Sequence, residues 1–178
     1  MRLLGIVVLA LALLAVIAGP AAAQVEMGFG AGVLYNKMLG SIEDDDWKID
    51  EDYFSYLLSL KLQLAGFLGV EGILNYYPGK GDIDYTLTPM ATGVINLLGD
   101  LVNVGAGINA SYVKYDVPGS GSEDKWSELT YHLKAGVQIP LGPIWLNGDV
   151  YYFIDQFKDV EDFDKDYLTF GARLHLRF

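Results

Sequence analysis

The sequence predicts an all-β chain: an eight-stranded antiparallel up-and-down transmembrane β-barrel. Three observations carry that prediction. The C-terminus alternates strictly between apolar and polar residues, seven other segments alternate in the same way, and the connections between them are by turns tight and long. In Tyr167 to Phe178, Leu168, Phe170, Ala172, Leu174, Leu176 and Phe178 fall on one face. Tyr167, Thr169, Gly171, Arg173, His175 and Arg177 fall on the other. A period of two over this length is a strand with one apolar face.

In chain order the strands are expected near 24–36, 53–64, 68–77, 84–97, 102–113, 129–139, 144–154 and 167–178. The first places Val25, Met27, Phe29, Ala31, Val33 and Tyr35 on one side, the second Phe54, Tyr56, Leu58, Leu60, Leu62 and Leu64. The fifth offers Val102, Val104, Ala106, Ile108, Ala110 and Tyr112, and the sixth Leu129, Tyr131, Leu133, Ala135, Val137 and Ile139. About 10 residues tilted near 45° span an apolar band roughly 25 Å tall, which these segments supply. Mean hydropathy is +0.26 despite a pI near 4.4, yet after the first residues no apolar run reaches helix-spanning length. The hydrophobicity is therefore spread over strands.

Three connections are tight: Ala65-Gly66-Phe67, Gly99-Asp100 and Leu141-Gly142. Four are long and polar: 37–52, 78–83, 114–128 and 155–166. Both chain ends fall on the side of the tight turns. Gly99-Asp100 suits a two-residue hairpin loop. Aromatic residues gather at the loop ends of the strands, Tyr35, Tyr56, Tyr76, Tyr112 and Tyr151 among them, with Phe67, Trp145 and Phe178 at the turn side. Amphipathic rings collect at membrane interfaces.

Charge separates the two faces. All but four of the 23 acidic residues lie in or beside the long connections; the exceptions are Glu26, Glu71, Asp100 and Asp149. The strands carry the bases Lys61, Lys134, Arg173 and Arg177. Few and balanced, these ions suit an enclosed lumen better than a solvated face. The expected turns set Lys61 opposite Glu71 and Lys134 opposite Asp149, so cross-strand ion pairs are expected, with Arg173 and Glu26 among the lumen ions.

At the N-terminus, Arg2 precedes an apolar run from Leu3 to Ala18, then Gly19-Pro20 and Ala21-Ala22-Ala23. Residues 1–23 are expected to be a secretory signal peptide, leaving 24–178 as one barrel domain. There is no cysteine, so no disulfide.

Gly-rich strands such as V-G-A-G-I-N-A-S-Y (104–112), the terminal G-A-R-L-H-L-R-F (171–178) and the strand count make residues 24–178 resemble the small eight-stranded outer-membrane barrels, the OmpX-type proteins and the OmpA transmembrane domain. The resemblance implies the outer membrane of a Gram-negative-type bacterium, with short periplasmic turns and longer outside loops. It implies a monomer with a structural or surface-interaction role rather than an enzyme. Its partners would be outer-membrane lipid, lipopolysaccharide and the barrel assembly machinery, for which Phe178, with Leu176 and Leu174, would be the signal. Side chains fill so narrow a barrel, so no wide pore is expected.

Two alternatives are a narrow passive porin-like channel and a lipid-modifying enzyme. Lipid A deacylase barrels use a His and a Ser two positions apart. Here Lys134 follows His132 and Arg177 follows His175, so neither His has the required Ser. Acyltransferase barrels place an amphipathic helix before the first strand, where this chain begins its strand at once.

No cofactor is expected beyond weakly bound Ca²⁺ or Mg²⁺ at the acidic loops, where Asp44, Asp45 and Asp46 precede Trp47, and Asp162, Asp164 and Asp166 alternate. Oxygen-rich loops suit these hard cations. The second group lacks the glycine and distal glutamate of a calcium loop, so solvated charge is the competing reading. The acidic pI argues against nucleic acid.

Overall fold

The computed structural model describes residues 25–36, 54–64, 67–80, 82–117, 121–154 and 168–178. The signal peptide expected over 1–23 lies outside them. Among the described residues there are ten strands: β1 (Glu26–Tyr35), β2 (Phe54–Leu64), β3 (Leu68–Tyr77), β4 (Ile83–Leu97), β5 (Val102–Asn109), β6 (Tyr112–Val117), β7 (Gly121–Trp126), β8 (Thr130–Leu141), β9 (Ile144–Ile154) and β10 (Leu168–Arg177). All pairings are antiparallel. The sheet runs β1-β2-β3-β4-β5-β8-β9-β10 and closes through β1–β10, giving eight staves. Beyond its last rungs, Phe178 N–H donates to Met27 O at 3.0 Å and Met27 N–H returns a bond to Phe178 O at 3.3 Å. Closure leaves no stave with an open edge, the condition for exposing backbone to lipid.

The expected fifth strand is two strands, and the expected long connection 114–128 is largely a β-hairpin, β6–β7, extending past the barrel rim. Pro89 explains the interruption. It stands opposite Ala110 in the register that joins β4 to both β5 and β6. Ala110 N–H reaches Pro89 O at 3.4 Å, but proline has no N–H to return. On the other flank Asn109 pairs Thr130 whereas Tyr112 pairs Trp126. Two residues therefore face three, a bulge. Ser127 holds it, its Oγ accepting from Ser111 N–H at 2.8 Å and its N–H donating to Ser111 O at 2.7 Å.

The tight turns follow backbone chemistry. Leu98, Gly99 and Asp100 all have positive φ, 51°, 63° and 73°, and the last rung is Leu97 with Val102, so the reversal spans Leu98 to Leu101 rather than the expected two residues. Between β8 and β9 the last rung is Leu141 with Ile144, so the loop is Gly142-Pro143 rather than the expected Leu141-Gly142. Gly142 has φ 68°, which a leucine would adopt at a cost, and Pro143 leaves the ladder, where its missing N–H does no harm. The register moves by two residues, which preserves every side chain's face.

Outward faces are apolar: Phe29, Leu58, Leu60, Leu74, Ile95, Leu133, Val137, Leu174 and Leu176 are all exposed. A continuous apolar girdle on this scale marks contact with lipid. At its loop-side edge Tyr76, Tyr85, Tyr112 and Trp126 form a row across four strands, with ring centroids 6.2, 6.2 and 5.3 Å apart. Trp145 and Tyr151, grouped with such rings by the sequence, instead point inward and are buried. Leu34, Leu57, Ile73, Met90 and Tyr151 form an apolar layer across the loop-side half of the interior.

Candidate functional site: the barrel lumen

Inside the barrel, four charges close on one another. Lys134 Nζ lies 2.6 Å from Glu71 Oε2 and 3.1 Å from Asp149 Oδ1. Arg173 reaches Glu71 Oε1 through Nη1 at 2.7 Å and Asp149 Oδ2 through Nη2 at 2.6 Å and Nε at 2.8 Å. Cations and anions alternate around this ring, and all four side chains are buried. Buried ions are tolerated when paired and hydrogen-bonded on several sides at once, as here. The ring spans four staves, β3, β8, β9 and β10, so it ties together strands far apart in sequence.

Strand alternation sends these side chains inward, and glycine gives them room. Gly32 pairs with Arg173, Gly105 with Lys134 and Gly136 with Asp149. A methyl on Gly32 would meet Arg173 Cγ at 2.6 Å.

Two histidines repeat one arrangement. In the first, Ser59, Gly30 and His175 stand in a row on β2, β1 and β10. His175 Nε2 lies 2.8 Å from Ser59 Oγ, and Nδ1 lies 2.7 Å from Asn147 Nδ2. In the second, Thr92, Gly107 and His132 stand in a row on β4, β5 and β8. His132 Nε2 lies 2.8 Å from Thr92 Oγ1, and Nδ1 lies 3.0 Å from Asn109 Oδ1. Each ring crosses a glycine to reach a hydroxyl two strands away. A hydroxyl–His–Asn chain has the order of a nucleophile, base and orienting group. Both are sealed from lipid and solvent, however, so these contacts fix the rings rather than present them to a substrate.

A family model for the outer membrane protein β-barrel domain matches residues 8–178. The chain belongs to that family. Among solved structures, the N-terminal β-barrel domain of Pseudomonas aeruginosa OprF is similar over 86% of this chain and 97% of that chain, with TM-score 0.57 and 7% identity. A major outer membrane protein of Thermus thermophilus is similar over 87% and 100%, with TM-score 0.48 and 16% identity. Ail, the attachment invasion locus protein of Yersinia pestis, solved with the heparin analogue sucrose octasulfate, is similar over 87% and 99%, with TM-score 0.47 and 14% identity. No curated protein matches in sequence.

In this outer-membrane barrel the expected ion partners are rearranged. Lys61 and Glu71 are opposed in the ladder, but Lys61 Nζ donates to Gln138 Oε1 at 2.8 Å and to Asn96 Oδ1 at 3.5 Å. Glu71 is drawn instead to Lys134 and Arg173. Lys134 does reach Asp149, yet diagonally: with the turn at Gly142-Pro143 it stands opposite Tyr151, and Asp149 stands opposite Gly136. Glu26 pairs with Arg177 at the turn-side mouth, half exposed. Beside them Trp145 sits between two cations, Lys61 Nζ at 5.3 Å and Arg177 Cζ at 5.1 Å from its ring centroid. Such contacts suit a desolvated lysine or arginine.

Leu174, Leu176 and Phe178 lie on the lipid face, exposed. The acidic residues Asp44, Asp45, Asp46, Asp162, Asp164 and Asp166 lie outside the described residues, as does Trp47. Among the described residues no cluster of His, Asp and Glu is arranged to hold a metal ion. Sequence reasoning missed Gln138, Asn96 and Trp145 as lumen residues, whereas Asn103 falls on the polar face that alternation assigns to the lumen. Alternation from Lys134 and Asp149 along the same strands would have found Gln138 and Trp145.

Proposed function

We propose that this protein is a closed, structural outer-membrane barrel of a Gram-negative-type bacterium, non-enzymatic, whose specific interactions are made by its outside loops. The observation that carries this reading is the buried four-charge ring, backed on the loop side by the apolar layer around Tyr151 and on the turn side by Trp145. A lumen filled at three levels offers no solvated path for a solute. The histidine chains favour a structural reading, because a hydrolase needs its hydroxyl exposed to substrate.

The loops are the remaining place for recognition, and loops on a rigid scaffold commonly carry it. Their partner is lipopolysaccharide, bridged to Asp44, Asp45 and Asp46 and to Asp162, Asp164 and Asp166 by Ca²⁺ or Mg²⁺, since bare carboxylates repel anionic head groups. The chain acts as a monomer inserted by the barrel assembly machinery. Binding of the detergent-solubilised protein to lipopolysaccharide vesicles, with and without millimolar Ca²⁺, tests this. Ca²⁺-dependent binding, lost when Asp44, Asp45 and Asp46 become Asn, is the expected result. Binding indifferent to both Ca²⁺ and the substitutions removes the loops from the role.

A further inference from the structure

One lumen cation stands without a contacting carboxylate. Glu71 and Asp149 are fully committed to Lys134 and Arg173, which leaves Lys61 as a third buried cation. Its side chain is 3% exposed, and no carboxylate among the described residues is within ion-pair distance of Nζ. Glu26 is taken by Arg177, and Asp100, the remaining carboxylate, accepts from Gln63 Nε2 at 2.9 Å and makes no contact with Nζ. An ammonium carries three donors, and here only Gln138 Oε1 and, at the limit of distance, Asn96 Oδ1 receive them. Burying an unneutralised charge among neutral acceptors is costly.

Beside Lys61 there are further donors without acceptors. Asn96 turns its oxygen to Lys61, which fixes the amide's orientation and leaves Nδ2 with no partner. Asn103 is its direct cross-strand neighbour on the same inward face, and neither its Nδ2 nor its Oδ1 has one. Both residues are at most 5% exposed. One ammonium without a contacting carboxylate and two unused amide N–H groups thus adjoin in the lumen beside Trp145. Unpaired buried polar atoms are rare in folded proteins and are met by a bound water or ion.

We infer that the lumen binds one small monovalent anion, of the halide class, at Lys61, Asn96 and Asn103. The ion neutralises Lys61 and accepts from both amides, and a water beside it donates to Asn103 Oδ1. A divalent or bulky oxyanion is disfavoured by charge, since only one cation lacks a contacting carboxylate, and by a lumen crowded with side chains. The Gln138 contact holds Nζ at this level rather than letting it reach Glu71.

The ion enters as the barrel folds, so the full chain is refolded into detergent in sodium bromide or in sodium gluconate of equal ionic strength. Anomalous diffraction from the bromide form is expected to show one peak within hydrogen-bonding reach of Lys61 Nζ. Halide is expected to raise Tm over gluconate by about 2–5 °C, because a ligand bound only to the folded state stabilises it. Lys61→Met, which removes the charge and keeps the chain's bulk, abolishes both the peak and the salt preference. Asn103→Leu, which leaves Lys61 in place, weakens the preference. Water density at the site with the same Tm in both salts overturns the proposal, as does a bromide peak that persists in Lys61→Met.

Discussion

His175 Nε2 lies 2.8 Å from Ser59 Oγ, and the ring reaches it by passing over Gly30, which separates the two in the sheet. His132 reaches Thr92 over Gly107 in the same way. In a narrow barrel the two sides of a glycine become neighbours, because no side chain stands between them. Much of the glycine in these strands serves the residues beside it.

Adding a methyl at Gly30 or Gly107 should therefore be costly. The new carbon would meet His175 Nε2 at 2.7 Å or His132 Nε2 at 2.6 Å. Gly30→Ala and Gly107→Ala are each expected to destabilise the barrel by about 1–3 kcal/mol, the range for overpacking. Gly72→Ala is the control, with nothing within 4 Å of the new carbon, and should be nearly neutral. Urea unfolding in detergent or lipid vesicles measures all three, and equal effects would contradict the arrangement.

The four-charge ring makes a prediction about coupling. Glu71→Gln leaves Lys134 and Arg173 each short of an anion and is expected to cost about 3–5 kcal/mol. A double-mutant cycle between Glu71 and Arg173 should give an interaction energy of about 1–3 kcal/mol, whereas the cycle between Lys61 and Glu71 should stay near ~0.5 kcal/mol or below. The reverse ranking would restore the direct Lys61–Glu71 pair and break the ring.

Phe178 offers a test that separates assembly from stability. Its backbone closes the seam against Met27, and its ring is exposed on the lipid face. Phe178→Ala keeps both seam hydrogen bonds. It should fold normally from urea into lipid vesicles while inserting poorly into the outer membrane of cells. Equal loss in the two assays would make the ring a packing element, and no loss in either would end its role as a signal.

Faces, stave number and direction were readable in the sequence because a period of two is insensitive to errors of two residues. The β8–β9 register slipped by two when Gly142-Pro143 replaced the expected loop, and Lys134 and Asp149 still pointed inward. Partners were not readable for the same reason. Long side chains cross the lumen diagonally, so Glu71 on β3 meets Arg173 on β10, a contact that no pairwise register contains. The rim hairpin was hidden by composition. Gly121 to Lys125 reads G-S-E-D-K, polar throughout, because both faces of that extension are exposed. Trp145 was misplaced because an aromatic near a strand end suggests an interface, while its parity with Asn147 and Asp149 points inward.

The closed lumen is most directly tested by electrical recording of the purified protein reconstituted in a planar lipid bilayer. Wild-type protein is predicted to give no discrete conductance steps under conditions where an open porin does. Stable, ohmic unitary currents from the wild-type barrel would contradict the account, because ions would then be passing the ring of Glu71, Lys134, Asp149 and Arg173.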